Sequence, residues 1–196
     1  MPATANKVQF GFKKLHYAVV TETADPTTGE ITSTYGTVKA WPGAVSITRE
    51  ADSEQNIFYA DDGAYYTTNG ALVYSGEIEV AMIPEDVEVN VLGHTKDSKG
   101  GIAEKDSDVI KYIALLYEFN GDQGASKRAL YRVMLGRPSE EGSTSEESVE
   151  VQTQKLSYTA SARPDDGMCS YKMGPDGDAT AYAGWYNAVP LPATTP

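Results

Sequence analysis

Residues 71–93, A-L-V-Y-S-G-E-I-E-V-A-M-I-P-E-D-V-E-V-N-V-L-G, constrain the fold more than any other stretch. The first half alternates strictly: Leu72, Tyr74, Ile78, Val80 and Met82 on one side, Ser75, Glu77 and Glu79 on the other. Period 2 is the mark of a strand with one buried and one wet face. Pro84 then opens a short helix, because proline is tolerated at the first helical position and Glu85 and Asp86 suit the positive end of the helix dipole. Val87, Val91 and Leu92 fall at helical spacing, and Gly93 follows as a C-terminal stop. A long strand running directly into one short helix predicts an all-β chain, a β-sandwich whose open end that helix caps.

The remaining pattern extends the same reading. Residues 1–13 show no periodicity and are expected to form an N-terminal arm. A strand is expected at 14–23 with Leu15, Tyr17 and Val19 on one face, then a D-P-T-T-G turn at 25–29, then a return strand at 31–39. Trp41-Pro42-Gly43 breaks that hairpin, and residues 44–50 form another strand with Ala44, Ser46 and Thr48 on one face. Residues 56–59 and 64–68 flank an Asp-Gly turn and read as a second hairpin. T-K-D-S-K-G-G at 95–101 reads as a solvated loop or hairpin tip.

Residues 109–119, V-I-K-Y-I-A-L-L-Y-E-F, are the most apolar strand and are expected to be central, buried on both faces. Residues 128–137 pair back with Tyr131, Val133 and Leu135 inward and Arg128 and Arg132 outward. The acidic run S-E-E-G-S-T-S-E-E-S at 139–148 has no large apolar residue and is expected to be a mobile loop. Residues 149–163 form a long strand, with Leu156, Tyr158, Ala160 and Ala162 opposite Lys155, Ser157, Thr159 and Ser161. A short segment around Trp185 and a Pro/Thr-rich C-terminal arm at 184–196 close the chain. No composition shift marks a linker, so residues 1–196 are read as one domain of a size that buries a sizeable core.

Charge and cysteine usage narrow the function. A formal charge of -12 repels nucleic-acid phosphates. One cysteine, Cys169, allows no intrachain disulfide. No apolar run approaches the roughly 18 residues of a membrane span. The first residues lack an apolar core segment, so no signal peptide is expected.

Several small constellations copy parts of catalytic sites. Tyr59-Ala60-Asp61-Asp62 matches a two-metal carboxylate string, but an Asp-Gly turn accounts for it more simply. Asp165-Asp166-Gly167 and Asp176-Gly177-Asp178 miss the spacing of a calcium loop and read as turns. His16 and His94 belong to no zinc-spacing pair, and Cys169 lies in a turn-rich region without a nucleophile signature. There is no Gly-x-Ser-x-Gly elbow, phosphate loop or dinucleotide fingerprint. These patterns predict no enzyme, no metal and no cofactor.

A series of segments spread over most of the chain resembles the major tail proteins, or tail tube proteins, of long flexible-tailed bacteriophages. It comprises K-V-Q-F-G-F-K-K-L-H-Y-A-V-V at 7–20, P-G-A-V-S-I at 42–47, F-Y-A-D-D-G-A-Y-Y at 58–66, Y-S-G-E-I-E-V-A-M-I-P at 74–84 with V-L-G at 91–93, A-L-L-Y-E-F-N-G-D at 114–122, and R-A-L-Y-R-V at 128–133 with R-P-S at 137–139. The order of the segments is the specific signal. After about residue 164 only W-Y-N at 185–187 continues it.

The resemblance implies a sandwich or barrel-like fold that contributes strands to a ring-wide β-barrel. It implies homohexameric rings stacked into a tube that conducts the DNA genome at ejection without specific binding. The implied partners are further copies, a tape measure protein in the lumen, and tail terminator and distal tail proteins at the ends. The implied location is the virion tail, after synthesis in the host cytoplasm, with no membrane association. No catalytic residue is carried over.

On this reading Ser46, Thr48, Glu77, Glu79, Ser157 and Thr159 line the lumen, while Leu72, Tyr74, Ile78, Val80 and Leu156 pack under the helix. Contacts between subunits and rings come from the N-terminal arm, a loop at about 50–70 and the C-terminal arm. The candidates are Phe10, Phe12, Phe58, Tyr59, Asp61, Asp62, Tyr65 and Trp185. Two readings compete: a monomeric β-sandwich binding or adhesion module, and a small hydrolase using Asp61 and Asp62.

Overall fold

The structure is a computed structural model and describes residues 5–52, 55–60, 62–140 and 152–193. Eight strands make up the N-terminal part: β1 (Gln9–Ala24), β2 (Ile31–Tyr35), β3 (Lys39–Ala40), β4 (Ala44–Ile47), β5 (Glu50–Asp52), β6 (Gln55–Ala60), β7 (Gly63–Asn69) and β8 (Val73–Val80). After α1 (Glu85–Asn90) come β9 (Thr95–Lys96), β10 (Ile102–Ala103), β11 (Ile113–Gly121), β12 (Ser126–Leu135) and β13 (Ser139–Glu140). Then follow β14 (Gln154–Ser161), β15 (Ser170–Met173) and α2 (Ala179–Ala183).

The fold is all-β, as the alternating patterns predict. One antiparallel sheet runs in the order β2-β1-β11-β12-β14-β8-β4, with β3 paired to β1, β5 to β8, β13 to β14 and β15 to β12. The sheet curls until β4 lies beside β1, yet no ladder joins them among the described residues, and the barrel stays open at that seam. β6 and β7 form a separate hairpin, and β9 and β10 form another at residues 95–103.

Two apolar layers hold the sheet. The larger lies on the concave side and joins Leu15, Ile78, Val80, Leu115, Leu130 and Leu156 with Val87, Val91 and Leu92 around α1. Each such side chain contributes about 1.5–3 kcal/mol when fully buried. The second lies on the other side and joins Ala18, Leu116, Ala129 and Tyr131 with Trp185 and Val189. Residues 113–117 of β11 are therefore buried on both faces, as the continuous apolar run predicts. Val109, at the start of that run, is 75% exposed and lies before the strand.

Local geometry departs from the sequence reading where bulges intervene. β1 begins at Gln9, so residues 9–13 are a strand paired with β11 instead of a free arm. Its register slips twice: at Gly11, whose φ of +61° suits glycine, and around Lys14, a non-glycine at φ +52°. β12 carries an extra residue against β11, because Ile113 faces Val133 but Leu115 faces Leu130. The bulge puts Tyr131 on the face opposite Val133 and Leu135, so the expectation of one shared inward face does not hold.

The predicted strand at 44–50 breaks into β4 and β5, both paired to β8. Pro84 sits at the N-cap with φ -65° and ψ 141°, one position earlier than expected. Leu72 and Met82 flank β8 and are exposed, at 44% and 69%, because they lie outside its ladder. They do not join Ile78 and Val80 under the helix. A second helix, α2, was not predicted. Of the expected acidic loop at 139–148, Ser139 and Glu140 form β13 against β14, and the rest lies outside the described residues.

Candidate assembly surface

The wet side of β4, β8 and β14 brings the six polar candidates together. The ladder places Ser46 beside Glu79, Ser157 beside Glu77, and Thr159 beside Ser75. Alternation is the cause: every residue between them, Ile78, Leu156 or Tyr158, turns into the core. Ser46 Oγ donates to Glu79 Oε2 at 2.9 Å, and Thr153 Oγ1 donates to Glu79 Oε1 at 2.6 Å. These hydroxyls, Thr153 first, hold the Glu79 carboxyl below the usual carboxylate range. The Thr48 hydroxyl accepts from the Glu77 amide at 2.9 Å, and Lys155 Nζ stands 4.0 Å from Glu77 Oε1. Ser46 and Thr153 thus hold the Glu79 carboxylate, Lys155 stands by Glu77, and Ser157 and Thr159 are exposed beside them.

Gly76 makes this three-strand arrangement fit. A Cβ there would stand 2.1 Å from the Thr48 carbonyl oxygen, which also accepts from the Tyr158 hydroxyl at 2.7 Å. Only glycine lets the backbone between β4 and β5 approach β8 this closely.

The contact candidates divide into two groups. Phe10, Tyr59 and Tyr65 are exposed, at 58%, 66% and 73%. Tyr66, which the sequence reading did not single out, is 63% exposed on the same hairpin as Tyr59 and Tyr65. Phe58 lies on β6 opposite Tyr66, and Asp62 occupies the turn at φ +61°. Asp61 lies outside the described residues.

Phe12 and Trp185 are engaged inside the chain instead. Phe12 packs edge-on against Tyr117 at 5.8 Å, at the margin of the larger core. Trp185 is 1% exposed and stacks on Tyr171 at 5.5 Å. Within this chain it covers the second face of the sheet.

The other titratable groups are structural in their placement. Arg163, buried, donates from Nε to Asp165 Oδ1 at 2.9 Å and from Nη2 to Asp165 Oδ2 at 2.5 Å, and lies 3.3 Å from Asp166. The guanidinium holds the Asp165 carboxyl well below its ordinary range. Asp178 caps α2 by accepting from the Ala181 amide at 2.8 Å. The His16 ring stacks on Tyr186 at 4.3 Å. Cys169 is buried, and burial pushes its thiol up. Among the described residues no three His, Cys, Asp or Glu side chains cluster closely enough to hold a metal ion. Among the described residues no helix is long and apolar enough to cross a membrane.

Sequence reasoning missed one buried charge cluster. Glu118, 1% exposed, accepts from the Tyr186 hydroxyl at 3.1 Å and lies 3.6 and 3.2 Å from the ammonium groups of Lys13 and Lys14. Its one sequence signal is a glutamate inside the apolar run at 109–119.

No protein-family model matches the chain, and no curated protein matches it. Solved structures do. A chain of the anti-feeding prophage cap, the tube terminating cap, aligns at 8% identity and TM-score 0.48, over 89% of this chain and 98% of that one. A chain of an extracellular contractile injection system, the PVC sheath-tube complex in its extended state, aligns at 10% identity and TM-score 0.46, over 86% and 93%. A chain of the anti-feeding prophage baseplate aligns at 10% identity and TM-score 0.38, over 88% and 98%. At these scores the likenesses define no family for the chain.

Proposed function

We propose that the chain is a non-catalytic structural subunit of a phage-type tail, and that its copies form hexameric rings stacked into a tube. The face carrying Ser46, Thr48, Glu77, Glu79, Ser157 and Thr159 lines the bore, and DNA passes along it without specific binding. The observation that carries the reading is this face itself: three adjoining strands present short hydroxyls and carboxylates to solvent, while Ile78, Val80, Leu156, Tyr158 and Ala160 on the reverse side of β8 and β14 are buried. Carboxylates repel phosphates, and small side chains leave a smooth wall. Exposed charges are screened beyond a Debye length of ~8–10 Å, so only those at the wall act on the cargo.

Two further features support assembly. Among the described residues the sheet ends on β2 and β4, each paired on one side only, and unpaired strand edges invite pairing with another chain. The β6-β7 hairpin carries three exposed tyrosines, the residue type enriched at protein interfaces. The ordered series of segments that resembles tail tube proteins agrees with both. On this reading a tape measure protein occupies the lumen, terminator and distal tail proteins cap the ends, and the protein resides in the virion tail.

The test is negative-stain microscopy of the purified chain across a concentration series at several ionic strengths. Rings or tubes of uniform bore are the expected result. Single particles under every condition would overturn the proposal and favour the monomeric binding module.

A further inference from the structure

A cleft of about 200 Å³ opens where β12 begins, at the end of the strands away from α1. Two segments flank it. Asn6 Oδ1 accepts from the Gln123 amide at 2.9 Å and Asn6 Nδ2 donates to the Gly124 carbonyl at 2.8 Å, which fixes residues 5–9 against the β11-β12 turn. On the other side Pro175, just after β15, closes on the same turn: a Cβ at Gly124 would stand 2.8 Å from Pro175 Cβ. Ser126 lies between them, on the face of β12 that Arg128 and Leu130 share. It is 1% exposed, and its hydroxyl has no hydrogen-bond partner among the described residues.

The charges around Ser126 are out of balance. Arg128 and Lys172 stand directly opposite each other on β12 and β15, and like charges so placed repel. The chain has 28 acidic residues, yet neither cation forms an ion pair among the described residues. Lys172 lines the cleft directly. Arg128 Nη2 donates to Gln9 Oε1 at 3.1 Å, and Gln9 lines the cleft, so the guanidinium stands at its wall. Arg128 Nε is buried without a partner among the described residues. Asp176 is the one carboxylate in the lining. Gly174 lets it fold back over the end of β15, since a Cβ there would stand 2.4 Å from Asp176 Oδ1. Two cations against one carboxylate, with a hydroxyl and a guanidinium N–H left over, put donors in excess.

We infer that the cleft binds inorganic phosphate, one ion per chain. A tetrahedral oxyanion offers several acceptor oxygens at once, to the Ser126 hydroxyl, the Arg128 guanidinium and the Lys172 ammonium. The planar guanidinium suits phosphate geometry, and the lysine adds a point charge. Asp176 decides which oxyanion enters. Sulfate is fully ionised at neutral pH and meets only repulsion from that carboxylate. Phosphate keeps a proton there, and its P–O–H can donate to Asp176. The bound ion ties residues 5–9 to β12 and β15. The site is complete within one chain and does not depend on the proposed function.

Equilibrium dialysis of the chain against radiolabelled inorganic phosphate, at neutral pH and low ionic strength, reads the binding whether copies are single or assembled. The expected result is saturation at one phosphate per chain, with the label kept in a large excess of sulfate. Lys172→Gln is expected to weaken binding about tenfold and Ser126→Ala about threefold. Asp176→Asn is expected to let sulfate displace the label. Lys172 and Asp176 are exposed, so their variants report on the site separately from folding. Uptake that never saturates, or equal displacement by sulfate in the unaltered chain, overturns the inference. So does an affinity unchanged in Lys172→Gln, or sulfate still excluded from Asp176→Asn. Each of these results leaves the proposed function standing.

Discussion

The two halves of the main sheet differ in how they are covered. β1, β11 and β12 carry a packed layer on each side: the α1 layer on one, Trp185 and Val189 on the other. β4, β8 and β14 share the α1 layer but leave the reverse side to water. Burial on both faces makes the first half the stable frame. Burial on one face leaves the second half with a surface whose residues are free of packing duties. A side chain that the fold does not need is one that function can use.

The sharpest way to break this contrast is to strip the second layer. Trp185→Ala is expected to cost about 3–5 kcal/mol in denaturant unfolding, the usual range for a buried tryptophan. A loss under ~1 kcal/mol would mean that the second layer merely rests on the sheet.

Next in size is Asp165→Ala. It leaves the buried Arg163 guanidinium with Asp166 as its one remaining carboxylate, and should cost about 3 kcal/mol, measured the same way. A neutral result would show that water reaches this guanidinium.

Acid should expose the same frame. Asp165 and Asp86 both titrate below their ordinary value of 3.8, Asp165 through Arg163 and Asp86 through the Tyr17 hydroxyl and then Lys39. Depressed carboxyl values contribute stability that is complete above the unfolded-state value and is lost as pH falls through the folded-state values. Unfolding midpoints are therefore expected to hold from pH 7 to about 5 and to fall below about 4. Asp86→Asn should flatten part of that fall, and a slope unchanged in this variant would count against the Tyr17-Asp86 link between β1 and α1.

The smallest effects belong to the wet half. Ser157→Ala and Glu77→Gln should each change stability by no more than about 0.5 kcal/mol in thermal unfolding. A loss of 2 kcal/mol or more at either site, the size seen for core truncations, would show that this face is structural after all.

The contrast between the halves was partly visible before any coordinates. The run I-A-L-L-Y within 109–119 announces burial on both faces, and the strict alternation at 154–160 announces one wet face. Ser157 and Thr159, and Glu77 and Glu79, followed from that alternation alone. Tyr131 did not, because period 2 counts correctly only until a bulge adds a residue. Leu72 and Met82 extend the alternating pattern past the ends of the ladder, where no neighbour remains to bury them. Trp185 was read as a contact residue, and apart from Tyr171 most of the face it covers comes from β1, β11 and β12, more than 50 positions away.

The chain's local chemistry determined its strands, its turns and which strand faces are wet. Backbone sterics and side-chain alternation act between near neighbours, and the sequence displays them directly. Only the tertiary structure decided that β4 stops beside β1 without closing, and that Glu118 draws Lys13 and Lys14 to one point. Both outcomes depend on where distant segments meet after bulges and curl have summed along every strand.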